Sequence, residues 1–535
     1  MRILQVMGGS DVDGVKNHIV SQAQAHSRDC EICVISLCEN PVSEADTDQL
    51  YIKSLTCSDI QEIEHITKEF VPDVLYCSGS TAFLVCARLR TKLPVPIVAE
   101  LRTERQIADT SVQKFDFYLP ASEQLAKAMI QRGIRPEIIF MSADDQDMDA
   151  YAAHIMDCCT AAAHRFALPK NRRDGFVICG AYGKGNTGDE AILQAIVQEL
   201  RELDPDRPIT IITRSPEEAK LHYRTNAIYT FRLDQVIQSF RRAAVYINGG
   251  GSLIQDVTSS RSLRYYLLTL ELAKQCGCKV MMYGCGIGPL HHSRNRKKAA
   301  RTINRSVDVI TLRDRLSFNE LKRMGIDRPD IHLSADPAFR LQPAPEQDVR
   351  QVMQHLGIPF GQAFLGVGLR DWKGLFKTED AIAAALDEAY EAYGLVPLFV
   401  PIEYPSDIAP AERISKKLHC PNYVVREQQS IALTIGLLAQ TKAVLGVRLH
   451  SILFAAAAGV PVIGISYDVK VDGFLDYIKS DTCVPFHAVT KEKLVGLIDV
   501  CVSGQRQIEV RKMAEQLRGL ERENIRAAKD MLEQE

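Results

Sequence analysis

Two periods of apolar residues run through the chain. Short apolar runs recur as ILQVM, EICVISL, DVLYC, PIVAEL, FDFYLP and EIIFM before residue 145. They continue as FVICG, AAVYI, KVMMYG, VDVITL and IHLSA up to residue 345, and then as AFLGVGLR, VPLFVPI, YVV, KAVLGV and PVIGIS. Between them, apolar residues fall three and four positions apart, the mark of amphipathic helices. Strands alternating with helices predict βαβ units and parallel sheets. The pattern restarts twice, so it predicts an α/β protein of three domains, over residues 1–145, 175–345 and 346–535. Residues 146–174 read as a linker with a helix and a polar exit loop.

The stretch 176–203 is the pivot. FVICG reads as a strand, AYGKGNTGDE as a glycine loop and AILQAIVQELREL as a helix. Thr187 and Glu190 form the spacing of a capping box, and Ile192, Ala195, Ile196, Leu200 and Leu203 repeat along one helical face. The glycines let backbone N–H groups turn inward, and a helix start offers free N–H groups and a positive dipole end. Such a loop suits a phosphate, a diphosphate or a carboxylate. It is neither G-x-G-x-x-G nor a Walker A loop, and a tight strand-to-helix turn needs glycine equally.

Glycine and polar residues also follow later strands. AAVYI leads into Asn248, Gly249, Gly250, Gly251 and Ser252, with Asp256 soon after. KVMMYG leads into Cys285, Gly286, Ile287, Gly288 and Pro289, and VDVITL into Arg313 and Asp314. In open α/β sheets the ligand crevice lies at the carboxyl ends of the strands, so these loops converge on one rim. In the third block, Arg448, Leu449 and His450 open a helix whose Ala455–Ala458 run packs it tightly on the sheet.

Composition narrows the class. The chain has 535 residues, too many for one core, with 46% hydrophobic and 24% charged residues, as in a globular protein. A net charge of −3 carries no global basic field, so nucleic acid is not expected as a partner. The 15 cysteines lack paired zinc spacing and read as free thiols in a reducing cytosol. The start, MRILQVMGGSD, reads as a first strand and not a signal peptide, and no apolar run reaches membrane-spanning length. The expected location is the cytoplasm. The basic run 291–305, with Arg294, Arg296, Lys297, Lys298 and Arg301, reads as a solvated helix face or as a surface for anionic lipid head groups, a peripheral contact with the membrane. The tail beyond 505 reads as a charged, solvated helix.

The ordered motifs GAYGKGNTGDEAIL, NGGGSLIQDVTS, YGCGIGPL, ITLRDRLS, SADPAF and GVRLHSILFAAAAGVPVIGISYDVKVDGF closely resemble the polysaccharide pyruvyl transferase family, CsaB-type branch, over 175–500. The resemblance implies two Rossmann-like halves in a GT-B-like pair around a cleft. It implies transfer of pyruvate from phosphoenolpyruvate to two hydroxyls of a cell-wall or exopolysaccharide precursor sugar, lipid-linked or nucleotide-linked, as a cyclic ketal. Residues 1–145 are an addition to that branch. Gly8-Gly9 after the first strand, His18 and the Ser122-Glu123 helix start resemble the N-terminal half of a family 4 GT-B glycosyltransferase, which implies a part in acceptor recognition.

The resemblance puts phosphoenolpyruvate on Arg448, Leu449 and His450, with Arg313 and Lys470 as further cations. This fits a ligand with about three negative charges, because an arginine fork grips phosphate or carboxylate bidentately. Gly183, Gly185, Asn186, Gly188, Gly249, Gly250 and Gly251 are the expected loop contacts. His450 is the expected general acid or base, since imidazole titrates near pH 7. Asp189 or Asp256 is the expected base for the acceptor hydroxyl, and Tyr182 and Lys184 are either acceptor contacts or surface residues. Arg448 could instead form a structural ion pair, and Asp336 before Pro337 reads as a turn former. No metal or cofactor is expected beyond the co-substrate. The alternatives are a glycosyltransferase using a nucleotide sugar and a non-catalytic scaffold that binds glycan precursors.

Overall fold

A computed structural model describes residues 1–8, 31–37, 45–47, 50–56, 59–90, 92, 94–108, 115–140, 148–167, 173–205, 207–257, 259–372, 374–466, 469–478 and 480–533. Gly9 and His18 lie outside the described residues, as do Tyr467, Asp468 and the side chain of Lys470.

Three sheets are present. The first contains β1 (Arg2–Gly8), β2 (Glu31–Leu37), β3 (Ala45–Thr47), β4 (Leu50–Ser54), β5 (Val74–Ser78), β6 (Ile97–Leu101) and β7 (Phe117–Pro120), in the order β3-β4-β2-β1-β5-β6-β7. The second contains β8 (Phe176–Cys179), β9 (Ile209–Thr213), β10 (Asn226–Tyr229), β11 (Val245–Ile254), β12 (Lys279–Ile287), β13 (Val309–Leu312) and β14 (Asp330–Leu333), in the order β10-β9-β8-β11-β12-β13-β14. The third contains β15 (Phe364–Gly368), β16 (Val396–Phe399), β17 (Tyr423–Val424), β18 (Thr441–Gly446), β19 (Val462–Ser466) and β20 (Cys483–Pro485), in the order β17-β16-β15-β18-β19-β20. Each sheet grows outward in one direction and then restarts on the other side of its first strand. That reversal makes a topological switch point, where a doubly wound sheet opens a crevice at its carboxyl edge.

The expected strands fall on the observed ones with two differences. EIIFM is a 3-10 turn at Pro136–Ile138 followed by a single bridge from Ile139 to Tyr118. The glycines after AAVYI and KVMMYG continue the strands: Gly249 pairs with Tyr283 and Gly251 with Cys285, and the register then shifts before Ile254. Hydrogen-bonded pairing of two glycine-bearing strands has outweighed glycine's weak strand propensity.

Residues 1–172 form one compact unit together with 220–226, and the rest of the chain forms a second. In the first, Ser122 Oγ caps its helix by accepting from Leu125 N at 3.2 Å. The helix expected inside the 146–174 linker is Met148–Ala167, and it belongs to the first unit's core. Tyr151, Ile155, Cys158, Cys159 and Ala162 pack against Ile3, Tyr76 and Val98 of the sheet. Tyr151 and Tyr76 donate to the two oxygens of buried Glu100 at 2.6 and 2.7 Å.

In the second unit the charged tail forms helices Gly504–Glu521 and Glu523–Glu533. These are not solvated all round. Val510, Ala514, Leu517, Glu521, Asn524, Ala527, Ala528 and Met531 are buried, and the last helix packs on β12 and β13. Glu521 meets Glu199 of the Thr187–Leu203 helix in a hydrogen-bonded carboxyl pair, with Tyr283 Oη donating to Glu199 at 2.5 Å. Burial raises both carboxyls above the ordinary glutamate value of 4.5, more than nearby Arg340 lowers them. The native state therefore binds a proton that the unfolded chain releases above that value, and stability falls as pH rises from about 5 into the alkaline range. Glu521→Gln is expected to flatten this dependence and raise the unfolding temperature at pH 8. A variant with the wild-type slope would show that the pair is not protonated in the fold.

Candidate functional site

The glycine loop lies between β8 and the Thr187–Leu203 helix, at the switch point beside β11. The helix is capped by Asn186, whose Oδ1 accepts from Gly188 N at 3.0 Å. The expected capping box between Thr187 and Glu190 does not form. Glu190 Oε1 instead accepts from Gly183 N at 2.6 Å and closes the loop, while Thr187 is buried and donates its N–H to Ile402 O at 3.1 Å. A short Asn side chain reaches the first-turn amide from the position before the helix, which leaves the longer Glu free to reach back. Tyr182 is a core residue and neither an acceptor contact nor a surface group: its hydroxyl donates to Gly249 O at 2.7 Å. Lys184 is exposed.

The glycines divide by what surrounds them. A Cβ on Gly250 would lie 1.9 Å from Ile192 Cγ2, and one on Gly249 would lie 2.6 Å from Tyr182 Oη, so these two let the helix close on the strand. A Cβ on Gly183 would meet Thr213 Oγ1 at 2.5 Å. Gly185 and Gly251 have more room: the nearest atoms to such a Cβ are Tyr404 O at 3.2 Å and Asp189 Oδ1 at 3.5 Å.

The third sheet supplies the opposing wall through the segments that follow β18, at its switch point, and β16, one strand away. Residues 402–404 bind the glycine loop through backbone atoms, with Tyr404 N donating to Gly185 O at 3.3 Å and an antiparallel bridge between Asn186 and Glu403. Arg448, after β18, precedes the Leu449–Ala457 helix. Its Nε and Nη2 donate to the two oxygens of fully buried Asp407 at 2.5 and 2.7 Å, and Nη2 lies 2.6 Å from Glu403 Oε2. Arg448 is thus held in an ion pair. A guanidinium this buried requires a counter-charge. Burial raises the Asp407 carboxyl above the ordinary aspartate value, opposed by Arg448.

His450 lies in the first turn of that helix. Its ring faces the N-terminal turn of the Thr187–Leu203 helix so closely that a Cβ on Gly188 would lie 2.0 Å from Nδ1. Asp189 follows in the same turn, next to Gly251. Gly188, Asp189, Gly251 and His450 therefore meet at one place, which joins the glycine loop to the Arg-Leu-His segment.

Arg313 and Leu449 line a small adjoining pocket with Asp336, Phe474 and Tyr477. Arg313 is buried; Nη1 donates to Asp336 Oδ2 at 2.6 Å and Nη2 to Ser252 Oγ at 3.1 Å. Burial alone would lower its pKa, but Asp336 and Asp314 raise it above the ordinary arginine value. Asp336 is also the expected turn former, since its Oδ1 accepts from Ala338 N at 3.1 Å.

Asp256, expected as a second candidate base, is structural. It accepts from His291 N, His292 N, His292 Nδ1 and Asn295 Nδ2 at 2.8 to 3.0 Å. Burial would raise its pKa, yet these bonds hold it far below the ordinary aspartate value, which makes it a poor proton acceptor. Sequence reasoning named Ser252 only as part of a glycine-rich strand end and passed over Glu403 and Asp407. The last two sit in IEYPSD directly after the apolar run VPLFVP. Acidic residues at the carboxyl end of a strand beside the switch point were the available signal.

Removing one partner of a buried ion pair leaves an uncompensated charge, so Asp407→Ala is expected to destabilise the protein by roughly 3–5 kcal/mol. Glu403→Gln, at a partly exposed position, is expected to cost less than about 1 kcal/mol. Denaturant unfolding of both variants checks this, and equal costs would contradict the burial argument.

The comparisons with known proteins bear on residues already described. The family model for polysaccharide pyruvyl transferase matches residues 186–469, from the Asn186 cap through the Arg448–His450 segment. The amylovoran biosynthesis protein AmsJ of Erwinia amylovora is 23% identical over 363 residues, covering 56% of this chain and 85% of that protein. Among solved structures, HepE of Anabaena in complex with UDP-glucose aligns with 67% of this chain and 100% of its own, at 12% identity and a TM-score of 0.48. A glycosyltransferase from Rickettsia africae aligns with 68% of this chain and 99% of its own, at 13% identity and a TM-score of 0.46. The matched segment runs from the Asn186 cap through the buried arginines to the His450 turn and beyond, and the chain belongs to the polysaccharide pyruvyl transferase family.

Proposed function

We propose that this chain transfers the pyruvyl group of phosphoenolpyruvate to two hydroxyls of a saccharide precursor in polysaccharide biosynthesis. The observation that carries the proposal is the meeting of His450 with the N-terminal turn at Gly188 and Asp189. An anion beside a helix N-terminus is stabilised by its free N–H groups and dipole, and an imidazole there can move a proton to or from that anion's reacting atom. Arg313 and Arg448 supply fixed positive charge. Glu403 is the partner on Arg448 that an incoming carboxylate or phosphate would displace, since it is half-exposed while Asp407 is fully buried.

The reaction begins with protonation of the methylene carbon, which leaves an oxocarbenium-like centre at C2. One sugar hydroxyl adds to C2 and releases its proton, and the C2–O bond to phosphate breaks. The second hydroxyl then adds, and inorganic phosphate leaves with the remaining proton. His450 is the proton donor at the methylene carbon in this scheme, and Asp189 the acceptor at the sugar hydroxyl. The carboxylates of Asp407 and Asp336 hold the two arginines still, so the cationic field is in place before substrate arrives.

Phosphate release from phosphoenolpyruvate, measured with extracts of lipid-linked saccharides, tests the proposal. Acceptor-dependent release is expected, falling about 10²–10⁴-fold in His450→Ala. Gly188→Ala, whose methyl would displace the ring, is expected to lose activity comparably while His450 is still present. No release from any extract, together with binding of a nucleotide sugar, would favour a glycosyltransferase; full activity in Gly188→Ala would remove His450 from its role.

A further inference from the structure

Five basic side chains of the Ser293–Ser306 helix form one exposed stripe. Arg294, Lys297, Lys298, Arg301 and Arg305 recur at three- and four-residue spacing, whereas Ala299, Thr302, Ile303 and Ser306 face the core. The helix contains no acidic residue, and its sixth cation, Arg296, pairs with Glu320 at 2.9 Å. Among the described residues, these five side chains have no ion pair or hydrogen bond. Surface cations are ordinarily interleaved with anions, and the chain as a whole is slightly acidic at −3. Residues 291–328 nonetheless hold eleven Lys and Arg against four Asp and Glu.

The neighbouring Ser260–Gln275 helix extends this face. The two helices pack together, with Asn295 Nδ2 donating to Ser260 Oγ at 2.8 Å, and the first also exposes Arg261 and Arg264. Large apolar side chains stand in the open here as well: Leu268 is 40% exposed on the same helix, and Val257 is 49% exposed beside the Asp256 turn that starts the basic helix. The orientation is fixed from below, because the four hydrogen bonds to buried Asp256 hold the amino end of the basic helix in place. A rigid basic stripe bordered by apolar side chains matches a surface with anionic head groups above a hydrocarbon layer. No helix among the described residues is long and apolar enough to cross a membrane.

We propose that this two-helix face docks the protein peripherally on an anionic lipid bilayer. Its five unpaired cations contact the head groups, and Leu268 and Val257 reach the interface beneath them. Each basic residue near such a surface strengthens binding roughly fivefold, and salt weakens it.

Co-sedimentation of the full chain with phospholipid vesicles tests the proposal. Binding is expected to vesicles with about one third phosphatidylglycerol at about 0.1 M salt, and to be lost in pure phosphatidylcholine or at about 0.5 M salt. The quadruple variant Arg294→Glu, Lys297→Glu, Lys298→Glu and Arg301→Glu is expected to bind such vesicles more than about a hundredfold more weakly. Its unfolding temperature is expected to stay at the wild-type value, since none of the four side chains is paired. A control reversing the exposed Arg241, Arg242, Arg522 and Arg526 is expected to keep binding. Absence of vesicle binding, equal loss in the control, or binding to DNA or heparin in place of vesicles would each overturn the proposal.

Discussion

The second unit depends on one close approach, the His450 ring against the first turn of the Thr187–Leu203 helix. It is possible because residue 188 has no Cβ: any side chain there would overlap the imidazole. Around this contact the chain spends backbone hydrogen bonds, with Thr187 donating to Ile402 and Tyr404 to Gly185, and a buried Arg448–Asp407 ion pair on the same segment. The glycine loop and the 402–407 segment are therefore held as one surface. The glycine loop comes from the switch point of its doubly wound sheet, where the topology already leaves a crevice, and the 402–407 segment follows β16, one strand from the switch point of the third sheet.

The two arginines illustrate how guanidinium groups can be buried inside a protein of nearly neutral composition. Neither Arg313 nor Arg448 could be buried alone, and each is given a carboxylate of its own, Asp336 and Asp407. The pairing fixes the planar fork in direction as well as in charge. It also lowers the net positive charge at each guanidinium, so the pairs are close to neutral as they stand.

Much of the fold was legible in the sequence because strand runs and helical periods depend on local pattern. Parallel strands buried on both faces read as continuous apolar runs, and nearly all of those singled out lie on observed strands. The exceptions are physical. EIIFM is apolar enough for a strand, but its first two residues, Glu137 and Ile138, lie in a 3-10 turn that opens at Pro136. The Met148–Ala167 helix looked like a linker because its buried positions are small or polar, among them Tyr151 and the two adjacent cysteines, and its partner Glu100 is far away in sequence. The tail looked solvated because its few large apolar core-facing positions, Val510, Leu517 and Met531, are interspersed with Ala, Glu and Asn, whose burial depends on partners such as Glu199 and Ala335.

The candidate site was legible in outline for the opposite reason: loops at strand ends carry few residues, and each of those residues is distinctive. Arg313, Arg448, His450 and the glycines could be named from the sequence. What it did not display was which acid faces which base. Asp256 and Asp189 look alike in sequence, yet one is saturated with four hydrogen bonds while the other lies beside Gly251 and the His450 turn. Asp407 went unnoticed because its importance comes only from the partner that the third sheet brings to it.

We propose that the glycine loop and the Arg448–His450 turn form a single anion site with His450 at its centre. Proton NMR of the imidazole resonances during titration with phosphoenolpyruvate tests it most directly, with the His450 signal identified by its loss in His450→Gln. A saturable shift of that resonance by phosphoenolpyruvate, and none by UDP-glucose, is the expected result. A His450 signal that moves with UDP-glucose and ignores phosphoenolpyruvate would contradict it.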